Sequence, residues 1–175
     1  MNGQSFNDEL YKRASYLMWK ERWAEAGRLL KPECTDEKRD WRACWNLGWC
    51  YFKMRNLESA RKFLIRATKF SPTNAASKWA LGIVYLDLEQ FGKAEKILTE
   101  SLRIKESHST RIALDLAYLA QGKVTEAENA HLAGIRMRPK RSEGYESYAA
   151  FLSDVGRDDK AQKMQRKARQ FKKLN

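Results

Sequence analysis

The sequence is poor in the residues that punctuate a chain. Its 175 residues hold three prolines and nine glycines. That is too few for a collagen-like chain, a Pro-rich linker or an all-β fold rich in tight turns. Long apolar runs are missing too. No stretch approaches the roughly 18 consecutive apolar residues of a membrane helix. The opening MNGQSFNDEL has neither the apolar core nor the cleavage site of a signal peptide. Cysteine is scarce, and Cys34, Cys44 and Cys50 cannot all pair. Cys44 and Cys50 stand six apart in what reads as one helix. That spacing is roughly 9 Å along a helix axis, too far for a disulfide. Reduced thiols and a cytoplasmic location are therefore expected. What is present is an ordinary apolar share of 43%, which excludes bulk disorder, and a net charge of +12.

A repeat organises the chain. Residues 47–67 align with 81–101, placing Leu47 on Leu81, Gly48 on Gly82, Tyr51 on Tyr85, Ala60 on Ala94 and Leu64 on Leu98. The next copy begins near Leu114, with Tyr118 and Ala127 in phase; the last carries Tyr148, Leu152 and Ala161. Ala14, Leu17, Trp23 and Ala26 fill the same template in the first copy. Five copies tile the chain at about 7–40, 41–74, 75–107, 108–141 and 142–175, and they are read as a single domain. Each copy shows apolar residues at helical spacing on either side of a short break, as in two amphipathic helices. Gly122 and Gly156 fall in the breaks, where a helix C-terminus calls for positive φ. Asn56, Ser142 and Asp158 suit N-caps. Pro72 and Pro139 fall between copies, and Pro32 stops the second helix early.

These residues resemble the tetratricopeptide repeat (TPR) family, whose 34-residue helix-turn-helix carries W-x2-L-G-x2-Y followed by a conserved Ala, an aromatic and a closing Pro. The chain departs from that pattern at the Trp position, which holds Leu10, Cys44, Lys78, Arg111 and Tyr145, and at Asp115, which stands where the family has Gly. The resemblance implies an all-α, right-handed α-solenoid of about five helix-turn-helix repeats, ten helices in all, acting as a protein-interaction scaffold.

By the same resemblance, the first helix of each pair lines a concave side. The residues facing it would be Tyr11 and Trp19; Trp45, Trp49 and Phe52; Trp79, Ile83 and Leu86; and Ile112, Leu116 and Leu119. An apolar, aromatic groove of this kind suits an amphipathic helix or an extended apolar peptide. A second copy of the chain is the other occupant, giving a homodimer. Trp45 and Trp79 have an alternative role: packing into neighbouring helices in place of the missing family Trp. The family's carboxylate clamp for acidic chaperone tails would fall on Tyr11, Ser15, Asn46, Ala76 and Ala80, of which only Asn46 agrees.

Charge is concentrated near the end of the sequence. Lys160, Lys163, Arg166, Lys167, Arg169, Lys172 and Lys173 crowd the last copy, and Arg136, Arg138, Lys140 and Arg141 surround Pro139. This surface would dock an acidic partner. The alternatives are a nucleic acid or an acidic cytoskeletal filament; the latter reading rests on kinesin light chains, which are also TPR proteins. No enzyme, cofactor or metal site is expected. His108 and His131 lack cysteines or carboxylates at metal-ligand spacing, and His131 reads as a packing residue. Gly122-Lys123-Val124-Thr125 lacks the upstream Gly and strand of a phosphate loop.

Overall fold

The computed structural model describes the backbone of residues 3–172 and the side chains from Asp8 onward. Among the described residues there are ten α-helices: α1 (Gly3–Trp19), α2 (Trp23–Leu30), α3 (Trp41–Lys53), α4 (Leu57–Phe70), α5 (Ala75–Asp87), α6 (Phe91–Ile104), α7 (His108–Leu119), α8 (Val124–Met137), α9 (Ser142–Asp154) and α10 (Asp158–Lys172). A short 3₁₀ turn, Lys31–Glu33, follows α2 at Pro32. The fold is all-α, in five helical hairpins.

One turn design joins the helices of every hairpin. Glu21, Arg55, Glu89, Gly122 and Gly156 all have positive φ, between 50° and 75°. At each, the N–H after the left-handed residue reaches back five residues, as Asn56 N–H does to Tyr51 O at 2.9 Å and Lys123 N–H to Tyr118 O at 2.9 Å. This is the Schellman closure, which satisfies the last carbonyls of a helix. Gly122 and Gly156 adopt it without strain. The other three hairpins hold an ordinary side chain in the same conformation. Caps are shared out less evenly than the sequence implies. Asn56 caps α4 by accepting from Ser59 N–H at 3.1 Å. Asp40 and Asn74 cap α3 and α5 in the same way. Ser142 and Asp158 are instead the first residues of their helices, and Asp158 accepts from the Ser153 hydroxyl at 3.1 Å.

Two compact units divide the chain, residues 1–105 and 106–175. In the first, α2 packs on α3 and α4 on α5, around a core that includes Leu30, Leu47, Leu64, Val84 and Leu98, all fully buried. The two helices of a hairpin approach closely where glycine permits it. A Cβ on Gly48 would lie 2.7 Å from Leu64 Cγ, and one on Gly82 would collide with Leu98. Two distant segments are also tied. Cys34 in the loop after α2 is joined by a disulfide to Cys44 in the first turns of α3, leaving Cys50 as the free, buried cysteine. The expectation of reduced thiols fails here, and with it the redox argument for an intracellular location. Cys44 pairs across a loop, a geometry that the Cys44–Cys50 helix spacing does not address. Burial pushes the Cys50 thiol up to about 11, so it is a poor nucleophile at neutral pH.

In the second unit, α7 and α8 form one hairpin and α9 and α10 the other, with α8 and α7 both against α9. Its core is Ala127, Tyr148, Phe151, Leu152 and Ala161, and it contains polar groups that the first unit does not use. Asp115 stands where the second and third hairpins have Gly48 and Gly82, and His131 where they have Leu64 and Leu98. His131 Nε2 and Asp115 Oδ2 are 2.8 Å apart, and both residues are buried. The tight glycine–leucine contact has thus been exchanged for a polar pair. A second exchange lies beside it. Arg111, also buried, bonds Glu106 and Ala130 O, and a Cβ on Gly134 would fall 2.8 Å from its guanidinium.

Candidate interaction surface

Helical spacing brings Trp45, Trp49 and Phe52 onto one side of α3 and Trp79, Ile83 and Leu86 onto one side of α5. The two helices meet there. The Trp49 ring lies 6.2 Å from Trp45, 5.0 Å from Phe52 and 5.6 Å from Trp79. All six side chains are half-buried. Trp45, Trp49, Phe52 and Trp79 pack over the cluster of Ala80, Leu81 and Val84 with their outer surfaces still in water. Trp45 also donates its ring N–H to Ala76 O at 3.3 Å, while the ring nitrogen of Trp79 is buried with no partner. The two roles open to Trp45 and Trp79 are therefore combined: each packs on a neighbouring helix and also widens the aromatic face.

Other groove residues are placed differently. Tyr11 donates its hydroxyl to Asp40 Oδ2 at 2.6 Å, beneath the Arg42 guanidinium. Burial, followed by the Asp40 hydrogen bond, raises its phenol well above the ordinary range. Tyr11 holds the α3 cap in place, since the same carboxylate accepts from Arg42 and Ala43 N–H. Trp19 ends α1 at 71% exposure, with the Lys20 ammonium 4.2 Å from its ring centre. Ile112 and Leu116 are exposed on α7 in the second unit, at 44% and 54%, while Leu119 turns inward toward the Tyr148–Phe151 core.

The basic residues are at the surface. Arg136, Arg138, Lys140 and Arg141 are exposed at the end of α8 and before α9. On α10, Lys160, Lys163, Arg166, Lys167, Arg169 and Lys172 are exposed, while Ala161 and Ala168 form its buried stripe. Lys172 lies 3.8 Å from Glu146, and Lys167 approaches the Tyr145 ring at 5.9 Å. Lys173 lies outside the described residues. Asp158 and Asp159 occupy the first turn of α10, where they suit the helix dipole.

Chemistry on these residues is limited by burial. Ser147 Oγ lies 3.5 Å from His131 Nδ1, opposite the Asp115 contact. The three residue types are those of a hydrolytic triad, but Ser147 is 3% exposed and His131 1% exposed, so no substrate reaches them. Gly122-Lys123-Val124-Thr125 forms the α7–α8 turn and opens α8, with no strand before it. No helix among the described residues is long and apolar enough to cross a membrane.

Two family models for the tetratricopeptide repeat match residues 41–74 and 75–108. No curated protein matches the sequence. Several solved structures share the fold. One crystal structure of MamA has a TM-score of 0.70 at 19% identity, covering 92% of this chain and 95% of that one. Another has a TM-score of 0.71 at 18% identity, covering 95% and 91%. MamA 41-end from Desulfovibrio magneticus RS-1 has a TM-score of 0.70 at 15% identity, covering 96% of each chain. Identities this low speak for the fold alone. Repeats of this kind present surfaces to protein partners. The repeat in phase along the sequence, the five closed hairpins and the two matching family models identify tetratricopeptide repeats at residues 41–108, within an all-α repeat fold of the same type.

Proposed function

We propose that this chain is a non-enzymatic adaptor that holds a helix or extended peptide of a partner protein on the aromatic face of α3 and α5, while the basic surface of α8–α10 docks an acidic surface. The observation that carries this reading is Trp49: it touches three other aromatic rings and keeps part of its own surface in water. Aromatic residues of this size bury roughly 150–250 Å² each when covered and dominate interface energetics. Ile112 and Leu116 on α7 offer a smaller apolar contact. The exposed bases of α10 supply long-range attraction for an acidic partner.

Affinity capture from extract, followed by quantification of the captured partner, tests the reading. Trp49→Ala with Phe52→Ala should reduce capture at least tenfold while helicity is retained. Lys163→Ala with Arg166→Ala should slow association and leave a smaller, salt-sensitive defect. Unchanged capture by the aromatic double variant would refute the adaptor reading. A nucleic-acid partner is distinguished by salt, because its affinity falls steeply as condensed counterions are released. Binding through the aromatic face depends much less on salt.

A further inference from the structure

We infer that the first helical hairpin carries a separate binding site, for an acidic peptide segment bearing an apolar side chain. The site is a cleft of about 440 Å³ between α1 and α2, within the roughly 300–1,000 Å³ range of ligand clefts. Spacings of three and four residues bring Arg13, Tyr16 and Leu17 of α1 to one side of the cleft, and Glu25, Arg28 and Leu29 of α2 to the other. Leu17 and Leu29 make an apolar floor, Leu17 being 8% exposed, and Tyr16 forms a wall at 54% exposure.

The charges in the cleft do not balance. Arg22, in the turn, grips Glu25 with both prongs of its guanidinium, Nε to Oε1 and Nη2 to Oε2, each at 2.6 Å. That hydrogen bond, with Arg28 and Arg13 assisting, holds the Glu25 carboxyl below the usual carboxylate range. The single acid in the cleft is thereby occupied. Arg13 and Arg28 form no salt bridge among the described residues, and they leave an excess of two positive charges over an apolar floor. Lys20, stacked over Trp19 and 6.0 Å from the Tyr16 ring centre, adds a cation at the margin. Guanidinium forks match carboxylates in geometry as well as charge. The apolar floor distinguishes a peptide from a simple anion, since an inorganic ion gains nothing from Leu17 and Leu29.

The test uses the full chain and fluorescence anisotropy of three labelled pentapeptides: Glu-Leu-Glu-Phe-Glu, its lysine counterpart Lys-Leu-Lys-Phe-Lys, and the apolar-free Glu-Ser-Glu-Ser-Glu. The first should bind saturably and weaken with salt. The second should not bind, and the third should bind at least tenfold more weakly. Arg13→Ala with Arg28→Ala, both at exposed positions, should weaken Glu-Leu-Glu-Phe-Glu about tenfold without altering helicity. Trp49→Ala should leave it unchanged, which separates this cleft from the aromatic face. The inference is overturned by absence of saturation up to about 1 mM. It is also overturned by equal binding of the arginine double variant or by loss of binding in Trp49→Ala. Phosphatidylserine vesicles captured through Arg13 and Arg28 in place of the peptide would overturn it as well.

Discussion

Replacing Asp115 and His131 together should be far less harmful than replacing either one. The pair stands where the two preceding hairpins hold Gly48 with Leu64 and Gly82 with Leu98, and both its residues are buried. His131→Leu leaves the Asp115 carboxylate buried without its partner. It also puts a leucine against a Cβ at the position where the two preceding hairpins have glycine. Breaking a buried polar pair in this way costs about 3–5 kcal/mol. Asp115→Gly strands the imidazole, at about 1–3 kcal/mol, and adds about 1 kcal/mol for glycine inside a helix. The double variant rebuilds the contact used at Gly82 and Leu98. It also removes Asp115 Oδ1, a buried acceptor with no partner. Its stability should fall within about 2 kcal/mol of the wild type, because apolar replacement of a buried pair is commonly neutral or stabilising. Denaturant unfolding of the four proteins, followed by far-UV circular dichroism, gives the coupling directly. Coupling of about 3 kcal/mol or more is expected. Additive losses would refute the idea that the two substitutions form one exchange.

Two further outcomes follow from the first unit. Glu89 holds a left-handed conformation at φ 56°, which costs a non-glycine residue about 1–2 kcal/mol. Glu89→Gly should therefore raise stability by roughly 0.5–1 kcal/mol in chemical denaturation, and a loss would show that the turn is not strained there. Thiol titration without reductant should find no reactive cysteine in the native protein and one after unfolding, Cys50. Three thiols after unfolding would contradict the Cys34–Cys44 bond.

Much of the architecture is legible in the sequence because the repeat is. Phase alone brings Gly48 onto Gly82 and Ala60 onto Ala94, and the structure puts the glycines at close helix crossings and the alanines in the core. The turn is only half legible. Gly122 and Gly156 announce it, but Glu21, Arg55 and Glu89 adopt the same backbone under the pull of two carbonyl bonds rather than by residue preference. The disulfide is hidden because Cys34 lies in the irregular 33–40 loop, whose path no periodicity sets. Asp115 and Arg111 stand out as departures from the family pattern. Their meaning comes only with His131 and Gly134, which complement them on the next helix, a correlation visible once the copies are aligned position by position. Among the residues that the family resemblance assigns to the groove, Trp49, Phe52 and Trp79 lie in ring contact on α3 and α5. Tyr11 is engaged elsewhere, because its hydroxyl is taken by the half-buried Asp40, a partner that the repeat pattern does not announce. The Arg13–Arg28 cleft gives no sequence signal, since scattered arginines on a basic chain look like ordinary solvated surface.

Photocrosslinking asks most directly whether the aromatic face receives the partner. The photoreactive residue p-benzoylphenylalanine replaces Phe52 on that face or, as a control, Ile65, which is 43% exposed on α4. Irradiation of the captured complex should link the partner through position 52 and not through position 65. Adducts from position 65 alone would place the partner elsewhere and contradict the account.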